Sequence, residues 1–145
     1  MIDTPPLPSL ERVALLGLGL IGSSIARALK ARGFEGHLAA ADKDGAVRKT
    51  ALTLGLVDSM VEDPAAAVAG ADLVIFCTPV GVFGELAAQI AGALAPGAIL
   101  SDVGSVKAAV LHDIGPHVPD GVHLVPGHPV SGTEKSGPEA GFAEL

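Results

Sequence analysis

Gly17, Gly19 and Gly22 stand in the spacing Gly-x-Gly-x-x-Gly. They directly follow the apolar run Val13-Ala14-Leu15-Leu16 and lead into a helical pattern of Ile21, Ile25 and Leu29 at intervals of four. The chemistry such a strand, turn and helix can do is to bind phosphate. Gly17 permits the turn, Gly19 lets backbone N–H groups approach a pyrophosphate, and Gly22 lets the helix pack closely on the strand. The positive end of the helix dipole then faces the phosphates. A plain glycine-rich turn has the same spacing, but the place after a strand and at the start of a helix favours dinucleotide binding. Asp42 follows Gly22 by 20 residues, at the end of a second apolar run. A carboxylate there accepts hydrogen bonds from the adenine ribose hydroxyls and repels a 2′-phosphate, which favours NAD over NADP. Lys43 and Arg48 nearby soften that preference and leave NADP open, and the plainer alternative for Asp42 is a polar turn residue ahead of Asp44.

Proton-transfer candidates gather in the last third, where His112, His117, His123 and His128 are spaced five, six and five apart. That spacing fits no zinc site, and the single cysteine, Cys77, does not complete one, so no metal is expected. His112 falls in a helix, His117 in a turn and His123 at a strand start, all places where histidine is usually structural. His128 lies between Gly127 and Pro129 in a polar loop beyond a strand. Neutral imidazole there suits the proton acceptor that a nicotinamide dehydrogenase needs. Ser105 in Asp102-Val-Gly-Ser-Val-Lys107 reads as a helix cap that could also orient a histidine or touch nicotinamide, and Lys107 reads as a surface charge. The chain has no Tyr, no Gly-x-Ser-x-Gly and no Walker A order, which argues against Tyr-Lys dehydrogenases, elbow hydrolases and P-loop enzymes.

These residues need a scaffold, and the patterning supplies one. Residues 1–10 form an extended lead-in, with Pro5, Pro6 and Pro8 blocking helix, and residues 11–145 form one domain. Strands are expected at Arg12–Leu16, Leu38–Ala41, Asp72–Cys77, Ala98–Ser101 and Val122–Val125. Helices are expected at Leu20–Ala31, from a cap at Asp44 to Leu54, Pro64–Ala69 behind a cap at Asp63, Val80–Leu94, and from Ser105 to Ile114, with another starting at Pro138. Alternating strands and helices with short connections imply an α/β fold of the Rossmann type. It is a doubly wound, mostly parallel sheet with helices on both faces.

The 145 residues are 49% apolar and carry a net charge of −7, with 16 acids against 9 bases. A real core is expected, whereas phosphate neutralisation along a nucleic acid is disfavoured. With four Phe and no Trp or Tyr, base-stacking platforms are lacking as well. No apolar run approaches the ~20 residues of a membrane span. The start has no basic, apolar leader, so a cytoplasmic protein with no membrane partner is expected.

Four segments together carry a family likeness. Gly17-Leu-Gly-Leu-Ile-Gly-Ser-Ser24, Cys77-Thr-Pro-Val80, Asp102-Val-Gly-Ser-Val-Lys107 and Gly127-His-Pro-Val-Ser-Gly-Thr-Glu-Lys-Ser-Gly137 occur in this order. In order and spacing the chain resembles the prephenate dehydrogenase family, which includes arogenate and broader cyclohexadienyl dehydrogenases of tyrosine biosynthesis. The resemblance implies oxidative decarboxylation of prephenate or arogenate with NAD. It makes His128 the acceptor of the ring-hydroxyl proton and Ser105 the residue that orients it, and puts Thr133 and Glu134 beside the substrate. The cofactor set becomes Gly17, Gly19, Leu20, Ile21, Gly22, Asp42, Lys43, Thr78 and Pro79. Family members are about twice this length, with a helical second domain that dimerises and supplies an Arg for a substrate carboxylate. Here Arg12, Arg27, Arg32 and Arg48 all fall in the first third. A fragment of a homodimeric enzyme is therefore expected, one that binds NAD but has weak or no turnover on its own. The competing readings are a β-hydroxyacid-type dehydrogenase and a non-catalytic NAD-sensing module.

Overall fold

The computed structural model describes residues 9–127 and 137–143. Six strands form one parallel sheet: β1 (Arg12–Leu16), β2 (His37–Ala41), β3 (Ser59–Val61), β4 (Leu73–Phe76), β5 (Ile99–Asp102) and β6 (His123–Leu124). Their order is β3-β2-β1-β4-β5-β6, so the winding reverses between β1 and β4. In such sheets a crevice opens at the reversal, beyond the carboxyl ends of the strands. The connecting helices are α1 (Leu20–Ala31), α2 (Gly45–Thr53), α3 (Pro64–Val68), α4 (Phe83–Ile90) and α5 (Lys107–Ile114).

Alternation along each strand divides the core in two. Val13, Leu15, Leu38 and Ala40 point to the face covered by Ala26 of α1 and Ala51 of α2. Ala14, Leu16, Val74, Phe76 and Leu100 point to the other, against Val68 of α3, Phe83 and Ile90 of α4, and Val110 and Ile114 of α5. With both faces covered, the strands have to be apolar throughout. Phe76 and Phe83 meet edge to face, with ring centres 5.4 Å apart. The expected caps form: Asp44 accepts from the Ala46 N–H at 2.9 Å, and Asp63 accepts from the Ala65 N–H at 3.0 Å with Pro64 behind it.

The fold differs from the expectation at five places. β3 was not anticipated, because three residues beginning with a serine carry no readable period, and its pairing with β2 alone makes it a strand. The expected helix Val80–Leu94 narrows to α4, with 3₁₀ turns at Val80–Val82 and Ala91–Ala93, in a stretch broken by Gly81, Gly84 and Gly92. Ser105 is not a cap: α5 begins at Lys107, behind Val106, with no side chain capping it. β6 holds two residues rather than four. The segment Pro138–Ala140 is a 3₁₀ turn rather than the start of an α-helix, and it is tied to α1 by the Arg27 guanidinium donating to the Pro138 carbonyl at 2.7 Å. Among the described residues no helix is long and apolar enough to cross a membrane.

Candidate functional site

The turn between β1 and α1 is built as its glycines require. Gly17 has φ +93°, in the left-handed region that favours glycine, and its N–H donates to the Ala41 carbonyl at 2.8 Å. A Cβ on Gly22 would stand 2.4 Å from the Gly17 carbonyl oxygen, so helix and turn touch through bare backbone. At Gly19 a Cβ would meet nothing within 4 Å among the described residues, which leaves open space beside the turn. No side chain caps α1, so its first N–H groups are free to face that space.

A cavity of about 360 Å³ opens there. Gly17 and Gly19 border it from the turn, Asp42 and Lys43 from the end of β2, Thr78 and Pro79 from the end of β4, and Val82 and Leu86 from the α4 side. Asp42 is fixed from two sides: its Oδ2 accepts from the Leu18 N–H and its Oδ1 from the Asp44 N–H, both at 3.0 Å. It is thus both the polar turn residue of the plainer reading and a carboxylate on the cavity wall. Arg48 spends its guanidinium on the turn after β2, donating to the carbonyls of Asp42 and Lys43 at 2.8 and 2.9 Å. Glu62, a second acid on the wall, lies 3.9 Å from Arg48. The Thr78 hydroxyl is buried and has no hydrogen-bond partner among the described residues. A buried polar atom is costly unless satisfied, and the residue that carries this one borders the cavity. The residues present therefore fit a dinucleotide: uncapped helix N–H groups and open space for phosphate, a fixed carboxylate for ribose, and a hydroxyl in need of a partner.

Cys77 also borders the cavity. Burial pushes its thiol from the ordinary 9.0 up to about 12, and the negative charge of Asp102 adds to the shift, so it stays protonated at neutral pH.

The second cluster lies at the ends of β5 and β6. The Asp102 side chain is fully buried, accepting from the Gly104 N–H at 2.7 Å and the Gly127 N–H at 3.1 Å. Lys107 pairs with the same carboxylate and also donates to the Gly127 carbonyl. Reading Lys107 as a surface charge is therefore wrong: its ammonium joins two loops, because a buried carboxylate needs a cation within reach. Asp102→Ala would leave the N–H groups of Gly104 and Gly127 without their acceptor and the Lys107 ammonium without its carboxylate partner. We expect about 3 kcal/mol of lost stability, read from the urea unfolding midpoint and slope. A loss within experimental error would show that water replaces the carboxylate.

Of the expected cofactor residues, Gly17, Gly19, Asp42, Lys43, Thr78 and Pro79 line the cavity. Gly22, Leu20 and Ile21, in the first turn of α1, are not among its lining residues. Ser105 is exposed and is not part of the cavity wall. His128, Thr133 and Glu134 lie outside the described residues. Sequence reasoning missed Glu62 and the α4 contribution, which only the packing brings near. It also missed Asp102, although a lysine in the first turn of a helix, close behind an aspartate, was a usable signal.

Residues 25–145 match the family model for the nucleotide-binding domain of prephenate dehydrogenase. The chain is 45% identical over 135 residues to a cyclohexadienyl dehydrogenase of Zymomonas mobilis, covering 93% of this chain and 46% of that protein. It is 35% identical over 131 residues to a prephenate dehydrogenase of Lactococcus lactis, covering 88% and 36%. The chain thus spans less than half the length of these curated relatives. Among solved structures, the prephenate dehydrogenase of A. aeolicus in complex with hydroxyphenyl propionate and NAD⁺ superposes with a TM-score of 0.83. That match has 30% identity and covers 92% of this chain and 46% of that one. The arogenate dehydrogenase of Synechocystis gives a TM-score of 0.79 at 28% identity, covering 90% and 45%.

Proposed function

The chain belongs to the prephenate dehydrogenase family, through that family's nucleotide-binding domain, and on this premise we propose that it binds NAD and serves the oxidative decarboxylation of prephenate or arogenate. The observation that carries the cofactor reading is the cavity walled by the open turn at Gly19 and by the Asp42 carboxylate, which the Leu18 and Asp44 N–H groups hold in place. The first N–H groups of α1, at Leu20, Ile21 and Gly22, hold the pyrophosphate, with Gly17 shaping the turn and Gly19 leaving the approach clear. Asp42 accepts from the adenine ribose hydroxyls, and the acids Asp42 and Glu62 together oppose a 2′-phosphate. Arg48, already engaged with two carbonyls, does not offset them.

Bound NAD⁺ supplies the hydride acceptor. The chain's part is to place substrate and to manage a proton. His128 takes the proton of the ring hydroxyl as its carbon is oxidised, and Ser105 orients the imidazole. Thr133 and Glu134 stand at the substrate. Carbon dioxide leaves from the opposite ring carbon, its bonding pair completes the aromatic ring, and the phenolate oxygen takes a proton back. Aromatisation provides much of the driving force.

Calorimetric titration of this chain with NAD⁺ and NADP⁺ tests the cofactor half. We expect NAD⁺ to bind at least about ten-fold more tightly, a difference of roughly 1.4 kcal/mol. The reaction half is tested in the full-length protein by NADH formation with matched release of carbon dioxide from prephenate or arogenate. No affinity for either dinucleotide, or NADH formed without carbon dioxide, would overturn the respective half.

A further inference from the structure

Lys107 is the first residue of α5, where the helix dipole is positive and a lysine is disfavoured. No acid stands in the first turn to compensate it. The helix therefore gives no reason for this residue, and its contacts do. The ammonium reaches back to Asp102 at the end of β5 and across to the carbonyl of Gly127, three residues beyond β6. Asp102 in turn accepts from the Gly127 N–H. Both backbone polar groups of Gly127 are thus held by one ion pair, whose carboxylate is fully buried while the lysine is one-third exposed. The approach is close: a Cβ on Gly127 would stand 2.8 Å from the Asp102 carbonyl oxygen and 3.3 Å from the Ser101 hydroxyl.

The residue after Gly127 is His128. We propose that Asp102 and Lys107 act as a pair of positioning residues, holding Gly127 by its N–H and its carbonyl and so fixing the anchor from which the chain passes to His128. This rests on the proposed role of His128. Neither residue of the pair lines the cofactor cavity. Its charges supply rigidity, since charge-assisted hydrogen bonds are shorter and stronger than neutral ones. The same node joins the strand end carrying the Ser105 loop to the one carrying His128, so the two groups of the proposed proton path share one anchor.

The test is a double-mutant cycle in the full-length enzyme, with NAD⁺ affinity and the unfolding midpoint measured alongside turnover. Lys107→Met is expected to lower kcat by about 10²-fold, the scale of a misplacement near 1 Å, with NAD⁺ affinity held within about two-fold. Lys107→Arg, which keeps charge and donors, recovers at least about ten-fold of that loss. In a His128→Asn background Lys107→Met costs nothing further, because residues acting as one unit are not additive. Gly127→Ala keeps both charges but pushes the loop off β5, and serves as the second variant should Lys107→Met fold poorly. It is expected to show the same loss of kcat with cofactor affinity kept. The inference is overturned if Lys107→Met and Gly127→Ala retain wild-type kcat while His128→Asn is inactive. It is also overturned if the loss persists undiminished in the His128→Asn background, as a merely structural role would have it. Full turnover by His128→Asn instead strikes the assignment of His128 itself, and the positioning role falls with it.

Discussion

Asparagine in place of His128 is expected to lower kcat by about 10²–10⁴-fold while NAD⁺ affinity stays where it was, the range that positioned general acid–base groups contribute. The substitution isolates proton transfer. Asparagine still offers a hydrogen-bond donor and an acceptor, so it can hold the substrate hydroxyl, but it cannot take up a proton. The cofactor cavity is walled by the β1–α1 turn and the ends of β2 and β4, with α4 opposite, and the loop after β6 contributes nothing to that wall among the described residues. Coenzyme binding and proton transfer should therefore separate cleanly, one by calorimetry and the other by steady-state turnover. A kcat close to that of the unchanged enzyme would remove His128 from the reaction. A parallel collapse of NAD⁺ affinity would mean that the residue supports the fold.

The glycine turn gives the second large effect, and two of its members should respond differently. At Gly19 an added methyl meets no atom of the described residues within 4 Å, so Gly19→Ala is expected to leave the unfolding midpoint nearly unchanged. The same methyl occupies space that a pyrophosphate needs, and NAD⁺ affinity should fall by about ten-fold or more, at least roughly 1.4 kcal/mol. At Gly22 the methyl would press on the Gly17 carbonyl oxygen at 2.4 Å, and that oxygen is backbone, which cannot swing aside. Alanine gains about 1 kcal/mol of helix propensity over glycine, but overpacking costs up to about 3 kcal/mol, so a net loss near 2 kcal/mol is expected. The displaced helix end also withdraws its N–H groups from the phosphates, and binding falls together with stability. Urea unfolding and NAD⁺ titration of both variants check the pattern. Equal stability losses at the two positions would mean that the turn packs differently from the way its backbone indicates.

The sequence by itself determined what local chemistry dictates. Strand, glycine turn and helix were legible because a left-handed residue at Gly17, a bare contact at Gly22 and a 3.6-residue apolar period each leave a mark within a few positions. The caps Asp44 and Asp63 were legible for the same reason, since each bonds an N–H two residues on. The parallel sheet followed from strands apolar on both faces. Only the tertiary structure decided what depends on partners far along the chain. β3 exists through pairing with a strand some 20 residues earlier. Glu62 meets the Asp42 wall through that pairing, and α4 closes the cavity because the winding reverses between β1 and β4. Lys107 looked like a surface charge and Asp102 like part of the loop after a strand, with Ser105 as the cap between them. Packing buried the carboxylate, moved the start of the helix past Ser105 and brought Gly127, 25 residues beyond Asp102, onto both charges. Local residue type fixes what a segment can become, whereas a buried charge takes its partner from whatever the folded chain brings within a few ångströms.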